Sequence, residues 1–353
     1  GRRRLLITKV MCVLLLLLAT AKAQEADTIS SSDVSRAIAQ LRSSSDRKSY
    51  AQAFELSRSL IKVGRFNEAA ALLDVLVEKQ PEEFSVVYLA ALATFNSGRA
   101  ERAESLARRA VELASAAGDP SGSASSGNTA DALVLMAVVL AVRNNDAEAL
   151  KAAERAVSLA PKNFDAQFVF GRALFGSGDY AGAARTFQLA VALKPGDADA
   201  QFFLATALER SGDDASALLA YRQLARESPQ RIEGHLGAGV LLVKKGGTSL
   251  DEGMRELRVV LGINPKVYEA RITLGRVLVS TGRPADAIEH LKIAADLVPN
   301  NPEPHYQLSI AYRRLGRKEE AAAESAIVKR IHESRRGGAK SKSPPSANYL
   351  IDK

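Results

Sequence analysis

The sequence predicts an all-α fold, an array of antiparallel helix pairs, on three observations. Six prolines, Pro81, Pro161, Pro195, Pro229, Pro265 and Pro299, recur along the chain, with three intervals of 34 residues and one of 36. A small residue stands twelve positions before each, as Ala69, Ala149, Ala183, Ala217, Gly253 and Ala287. Seventeen positions before them come Gly64, Asn144, Gly178, Gly212 and Gly282, with Thr248 out of pattern in the unit that carries two extra residues. A fixed period of this kind marks stacked units of supersecondary structure, so the chain length does not count globular domains.

The first element is a leader. Arg2, Arg3, Arg4 and Lys9 precede an apolar run from Val10 to Ala19, and Ala21 and Ala23 flank Lys22. This is the layout of a secretory signal peptide over 1–23, and the apolar run is short for a membrane span. The expectation is export to a periplasmic or extracellular compartment of a bacterial-type cell; if uncleaved, the leader would be the chain's membrane contact. The single cysteine, Cys12, lies inside it, so the rest of the chain has no thiol for a disulfide, a thiolate metal site or a nucleophile. The formal charge of +8 is also uneven: the leader carries +5 and residues 329–353 carry +5, which leaves the body at −2. Such a body is no basic nucleic-acid surface.

Residues 24–49 form a linker in which Ser32 to Arg42 reads as a short helix covering the edge of the array. The array follows over 50–333. Each unit fits two helices of about a dozen residues joined by tight turns. Glycine, or Asn144, supplies the left-handed turn between them, and the small residue lets the second helix approach the first closely. Proline ends the second helix by withholding an amide. An apolar residue always stands five before the proline (Leu76, Ala156, Ala190, Leu224, Val260, Ala294), and Asn163, Asp197 and Asn301, two after it, are placed to cap the next helix. An acid follows at Asp165, Asp199, Glu233, Glu269 and Glu303. Three stretches depart from the pattern. Gly118 to Thr129, "GDPSGSASSGNT", reads as a flexible surface insertion; "KKGGTSLDEG" lengthens one internal turn; and 334–353 reads as a basic disordered tail.

With small residues also at Ala91, Ala137, Gly171, Ala205, Gly239 and Gly275 in the first helices, the sequence resembles the tetratricopeptide repeat family, in about eight units. The resemblance implies a right-handed superhelical solenoid whose hollow side, lined by the first helices, holds an extended peptide or a partner helix. On that side it would place Tyr88, Phe168, Phe202, Leu236, Ile272 and Tyr306, seven residues after each proline, with Arg172 and Arg276 one turn further on. The same positions also serve ordinary packing between repeats. The lysine and asparagine clamp of chaperone-binding members is not visible.

Chemistry is sparse. His235 and His305 fall at equivalent places in their repeats, and His290 and His332 lie elsewhere; none makes a pair with helical ligand spacing. Asp213 and Asp214 begin a second helix, where acids suit the helix dipole. The lysines of "KKGGTS" precede the glycines, the reverse of a phosphate-binding loop. The expectation is therefore no catalytic residue, no cofactor and no metal. The chain reads as a scaffold that binds a protein or peptide, with envelope assembly, secretion and polysaccharide export as candidate settings. Two alternatives stay open: an accessory subunit of an extracytoplasmic enzyme complex, and a tail that binds anionic surfaces or nucleic acid through Arg335, Arg336, Lys340 and Lys342.

Overall fold

The computed structural model describes residues 29–43, 46–116 and 124–338. Among them are seventeen α-helices, one short 3-10 turn and no strand. The chain divides into two compact units, one up to Lys194 and the other from Pro195. The first holds α1 (Ser31–Ser43), α2 (Arg47–Lys62), α3 (Phe66–Lys79), α4 (Phe84–Asn96), α5 (Ala100–Ala116), α6 (Ala124–Val142), α7 (Asp146–Leu159), α8 (Phe164–Ser177) and α9 (Tyr180–Leu193). The second holds α10 (Ala198–Arg210), α11 (Asp214–Glu227), α12 (Ile232–Lys245), α13 (Leu250–Ile263), α14 (Tyr268–Ser280), α15 (Pro284–Leu297), α16 (Pro302–Arg314) and α17 (Lys318–Gly338). Each unit is a solenoid of helix pairs, in which a second helix packs on its own first helix and on the first helix of the following pair.

The recurring residues do the work their spacing implies. Gly64, Gly98, Gly178, Gly212, Gly282 and Gly316 all lie at positive φ between 76° and 90°, and Asn144 takes the same place at 62°. In the lengthened turn, Gly246 and Gly247 supply positive φ and a 3-10 turn spans Gly247–Ser249. Every second helix that meets a proline stops two residues short of it, because a residue before proline is driven out of the α region. That residue still donates its N–H to the carbonyl four positions back: Gln80 to Leu76, Ala160 to Ala156, Lys194 to Ala190, Ser228 to Leu224, Asn264 to Val260 and Val298 to Ala294. These six acceptors are the apolar residues that stand five before each proline, and all six are fully buried.

Asn163, Asp197 and Asn301 cap α8, α10 and α16, their side chains accepting from Ala166, Ala200 and Glu303 N–H at 3.0 Å. A further clasp closes three of the inter-repeat turns. Gln167 and Gln201 donate back to the carbonyls of Pro161 and Pro195 at 2.8 and 2.6 Å, and Arg271 does so to Pro265 at 3.0 Å. The small residues mark close helix contacts. A β-carbon on Gly171 would come within 2.8 Å of the Phe187 ring, and one on Gly275 within 2.5 Å of Leu291. At Gly234 the obstacle is main chain rather than side chain, since a β-carbon there would meet the Ala225 backbone nitrogen at 2.6 Å.

At the N-terminal end, α1 lies against α2 and α3, and the Arg65 guanidinium fastens it by donating to the Ile29 carbonyl and to the Ser31 hydroxyl. Two boundaries differ from expectation. The loop expected over Gly118–Thr129 gives way to helix at Ala124, where α6 begins, and the tail expected from 334 continues as α17 to Gly338. Extending an existing helix costs no new nucleation, so polar residues beside a packed helix join it despite weak intrinsic preference. The Arg335 guanidinium also donates to the Asn300 carbonyl at 2.6 Å, tying the last turns of α17 back. The expected leader and the remainder of the tail lie outside the described residues.

Candidate functional site

The face considered is that of the first helices: α2, α4, α6 and α8 in the first unit, and α10, α12, α14 and α16 in the second. Successive members adjoin, α4 to α6 and α6 to α8 in the first unit, and α12 to α14 and α14 to α16 in the second. Residues at the same register of each helix therefore form rows.

In the first unit, Phe168 is 5% exposed and sits between Phe164, stacked at 5.7 Å, and Phe187, edge-on at 5.8 Å. Its ring belongs to the packing of α8 on α9. Tyr88 is half-buried and stacks on Phe84 at 5.6 Å. Burial pushes its hydroxyl well above the ordinary tyrosine range, and the Asp131 and Asp165 carboxylates push it the same way. Burial also raises Asp131, against the Asn163 amide that donates to it at 3.3 Å. Arg172 is half-buried on α8.

In the second unit, Leu236 and Ile272 are 1% and 6% exposed, and they belong to the core between helices. Phe202 is half-buried with its ring edge-on to Phe203 at 5.4 Å. Arg276 is exposed, and Tyr306 is 50% exposed, an aromatic ring largely left to solvent. Of the eight side chains expected to line this face, Phe168, Leu236 and Ile272 are thus withdrawn into the repeat, while Arg276 and Tyr306 stand open.

Sequence spacing did not single out Glu269 on α14. Burial raises its carboxyl above the ordinary value of 4.5, Arg276 opposes that, and Glu209 on α10 adds to it. Glu209 itself accepts from the Tyr221 hydroxyl at 2.8 Å, and burial followed by this carboxylate drives the Tyr221 hydroxyl far up. The signal for Glu269 was present in the row of acids, but spacing does not tell which acid forms no hydrogen bond or ion pair.

The remaining polar candidates are structural. His235 and His305 each meet a second-helix carboxylate, Glu256 and Glu324, at 2.6 Å through Nδ1, while at the equivalent place Arg271 meets His290 at 2.9 Å. Asp213 caps α11 by accepting from Ser216 N–H at 3.0 Å, and Asp214 pairs with Lys244 at 2.6 Å. Among the described residues no group of three or more His, Cys, Asp or Glu is placed to hold a metal ion. No helix among them is long and apolar enough to cross a membrane.

Solved structures to which the chain is similar include a MamA protein, at 17% identity over 52% of this chain and 98% of that one, with a TM-score of 0.45. Another is YrrB, described as a TPR protein with an unusual peptide-binding site, at 22% identity over 56% and 95% with a TM-score of 0.46. MamA from Desulfovibrio magneticus RS-1 gives 18% identity over 52% and 95%, with a TM-score of 0.44. No curated protein matches the chain. The tetratricopeptide repeat family profile matches residues 54–120, 168–232 and 272–331, which together exceed half of the chain. With helix pairs, turn glycines and closing prolines in the family's order, the chain belongs to the tetratricopeptide repeat family and is built as a scaffold for protein or peptide partners.

Proposed function

We propose that the chain holds a polypeptide segment against the first-helix face, outside the cytoplasm, as part of an assembly, secretion or export apparatus of the cell envelope. The observation that carries this reading is the open chemistry on α14 and α16. Tyr306 leaves half its ring in water and Arg276 is exposed, although the neighbouring positions Ile272 and Leu236 are packed away. Aromatic rings and arginines are the side chains that most often dominate binding energy at protein interfaces. Phe202 belongs to the same proposed face of the second unit as a half-buried contributor, and Tyr88 and Arg172 are half-buried on the first-helix face of the first unit. Placement outside the cytoplasm is supported by the basic start, the apolar run and the small residues at Ala21 and Ala23.

A photo-cross-linking side chain in place of Tyr306 tests the face in intact cells. Leu219, 66% exposed on the second helix α11, is the control position. The expected result is a discrete protein adduct from position 306 and none from position 219. Equal labelling from both positions, or none from either, would contradict the proposed face. Amino-terminal sequencing of the mature chain tests the leader, with Gln24 expected as the first residue.

A further inference from the structure

Of the four acids in the first-turn row of the second unit, three are answered from within the protein. Asp199 and Glu233 face Arg231 at 2.8 and 3.5 Å, and Glu303 accepts from the Gln307 amide at 3.1 Å. Glu269 is different: among the described residues no hydrogen bond or ion pair reaches it, and it is half-buried. Withdrawing a carboxylate from water without giving it a donor is costly. Arg276 lies two turns along the same side of α14 and is exposed; it acts on Glu269 at a distance without forming a pair. Between them Ile272 provides an apolar floor, and on the adjoining α16 Tyr306 occupies the register of Ile272 with half its ring in solvent.

We propose that Glu269 is a socket for the lysine or arginine side chain of an extended polypeptide lying along α14, with the Tyr306 ring beside the aliphatic stem. The assignment rests on the proposed function above and adds the chemistry of the partner. A single carboxylate in a partly desolvated setting balances one positive charge, and a long basic side chain brings apolar methylenes for a ring to cover. Among the described residues no group of three or more His, Cys, Asp or Glu gathers here to hold a divalent ion, and the Arg276 guanidinium would repel one. Glu269 and Arg276 are seven residues apart, about 10 Å along a helix. A chain in the extended polyproline II conformation, with three residues per turn and a rise of about 3.1 Å each, covers that distance in about three residues and returns to the same side. The partner segment would therefore carry an acidic residue about three positions from its basic one, opposite Arg276.

The probe is an immobilised set of short peptides with randomised flanks around fixed Lys-x-x-Glu, Gln-x-x-Glu and Lys-x-x-Gln centres, in both chain directions, applied to the full chain. The expected result is retention of the lysine series about tenfold above the glutamine series, as a charged hydrogen bond supports. Glu269→Gln, which keeps the shape, is expected to lose that preference while still favouring glutamate opposite Arg276. Equal retention of all three series would overturn the socket and leave the binding face standing. No retention of any peptide would overturn both. If retention appears only after removal of residues 339–353, and a synthetic peptide of that sequence restores the block, the occupant is the chain's own tail and the proposal of a separate partner is overturned.

Discussion

Single residues set both the strongest constraints and the clearest misreading. Phe168 and Tyr306 occupy the same register of their helices, yet one is 5% exposed and the other 50%. What separates them is the neighbour on the second helix: Phe187 stands edge-on to Phe168 at 5.8 Å and draws the ring inward. Spacing of three and seven identifies the side of a helix, but burial depends on the size of side chains brought in from other segments, and that was not legible. Glu269 shows the same limit, because its neighbours Arg276 and Glu209 come from two different helices. Its raised pKa fixes a sign. Folding is favoured fully below the ordinary value of 4.5, and that favour is lost as pH rises through the higher value of the folded protein. Glu269→Gln is therefore expected to raise the urea midpoint at pH 7 and to leave it unchanged at pH 4, since a protonated glutamate and a glutamine are nearly alike. A lower midpoint at pH 7 would mean that the carboxylate has a partner within the fold. The proposed socket would be maintained at some cost to stability.

Helices were legible where one residue type has one physical consequence. Proline before a cap, glycine at positive φ and alanine at a close crossing each impose a boundary or a distance, so Pro195, Gly178 and Ala183 reveal their helices without any tertiary information. The approach of α11 to α12 was not legible in the same way. Gly234 stands five residues after its proline, where Ala166, Ala200 and Ala270 stand in other repeats, and its missing side chain allows the Ala225 backbone to come close. Gly234→Ala is expected to destabilise by about 1–3 kcal/mol through overpacking, outweighing the helix preference of alanine. Gly262 on α13 offers the opposite case, since a β-carbon added there would meet nothing within 4 Å. There the same substitution is expected to stabilise by about 0.5–1 kcal/mol. Denaturant midpoints of the two variants should move in opposite directions, and a raised midpoint for Gly234→Ala would refute the close contact there.

For the molecule as a whole, stability is shared between neighbours, because each helix pair buries its apolar face only against the pairs beside it. Leu291, fully buried under Gly275, is a suitable place to perturb the second unit. Leu291→Ala is expected to cost about 2–5 kcal/mol. Hydrogen exchange should quicken first in α14 to α17 and least in α10 and α11, and uniform loss of protection across the second unit would rule out neighbour-by-neighbour coupling. The all-α architecture was legible from residues repeated at fixed intervals, while the partner's identity was not, since the rows of the proposed binding face vary where the structural rows repeat. The clasp from Gln167, Gln201 and Arg271 to the carbonyl of the preceding proline closes its connection with atoms drawn from a span of seven residues. A segment cut between two such prolines would carry its own fastening with it. Copying or losing one unit would then leave the joints on either side intact, so a lineage can change the length of this array, and with it the number of docking rows, without redesigning any junction.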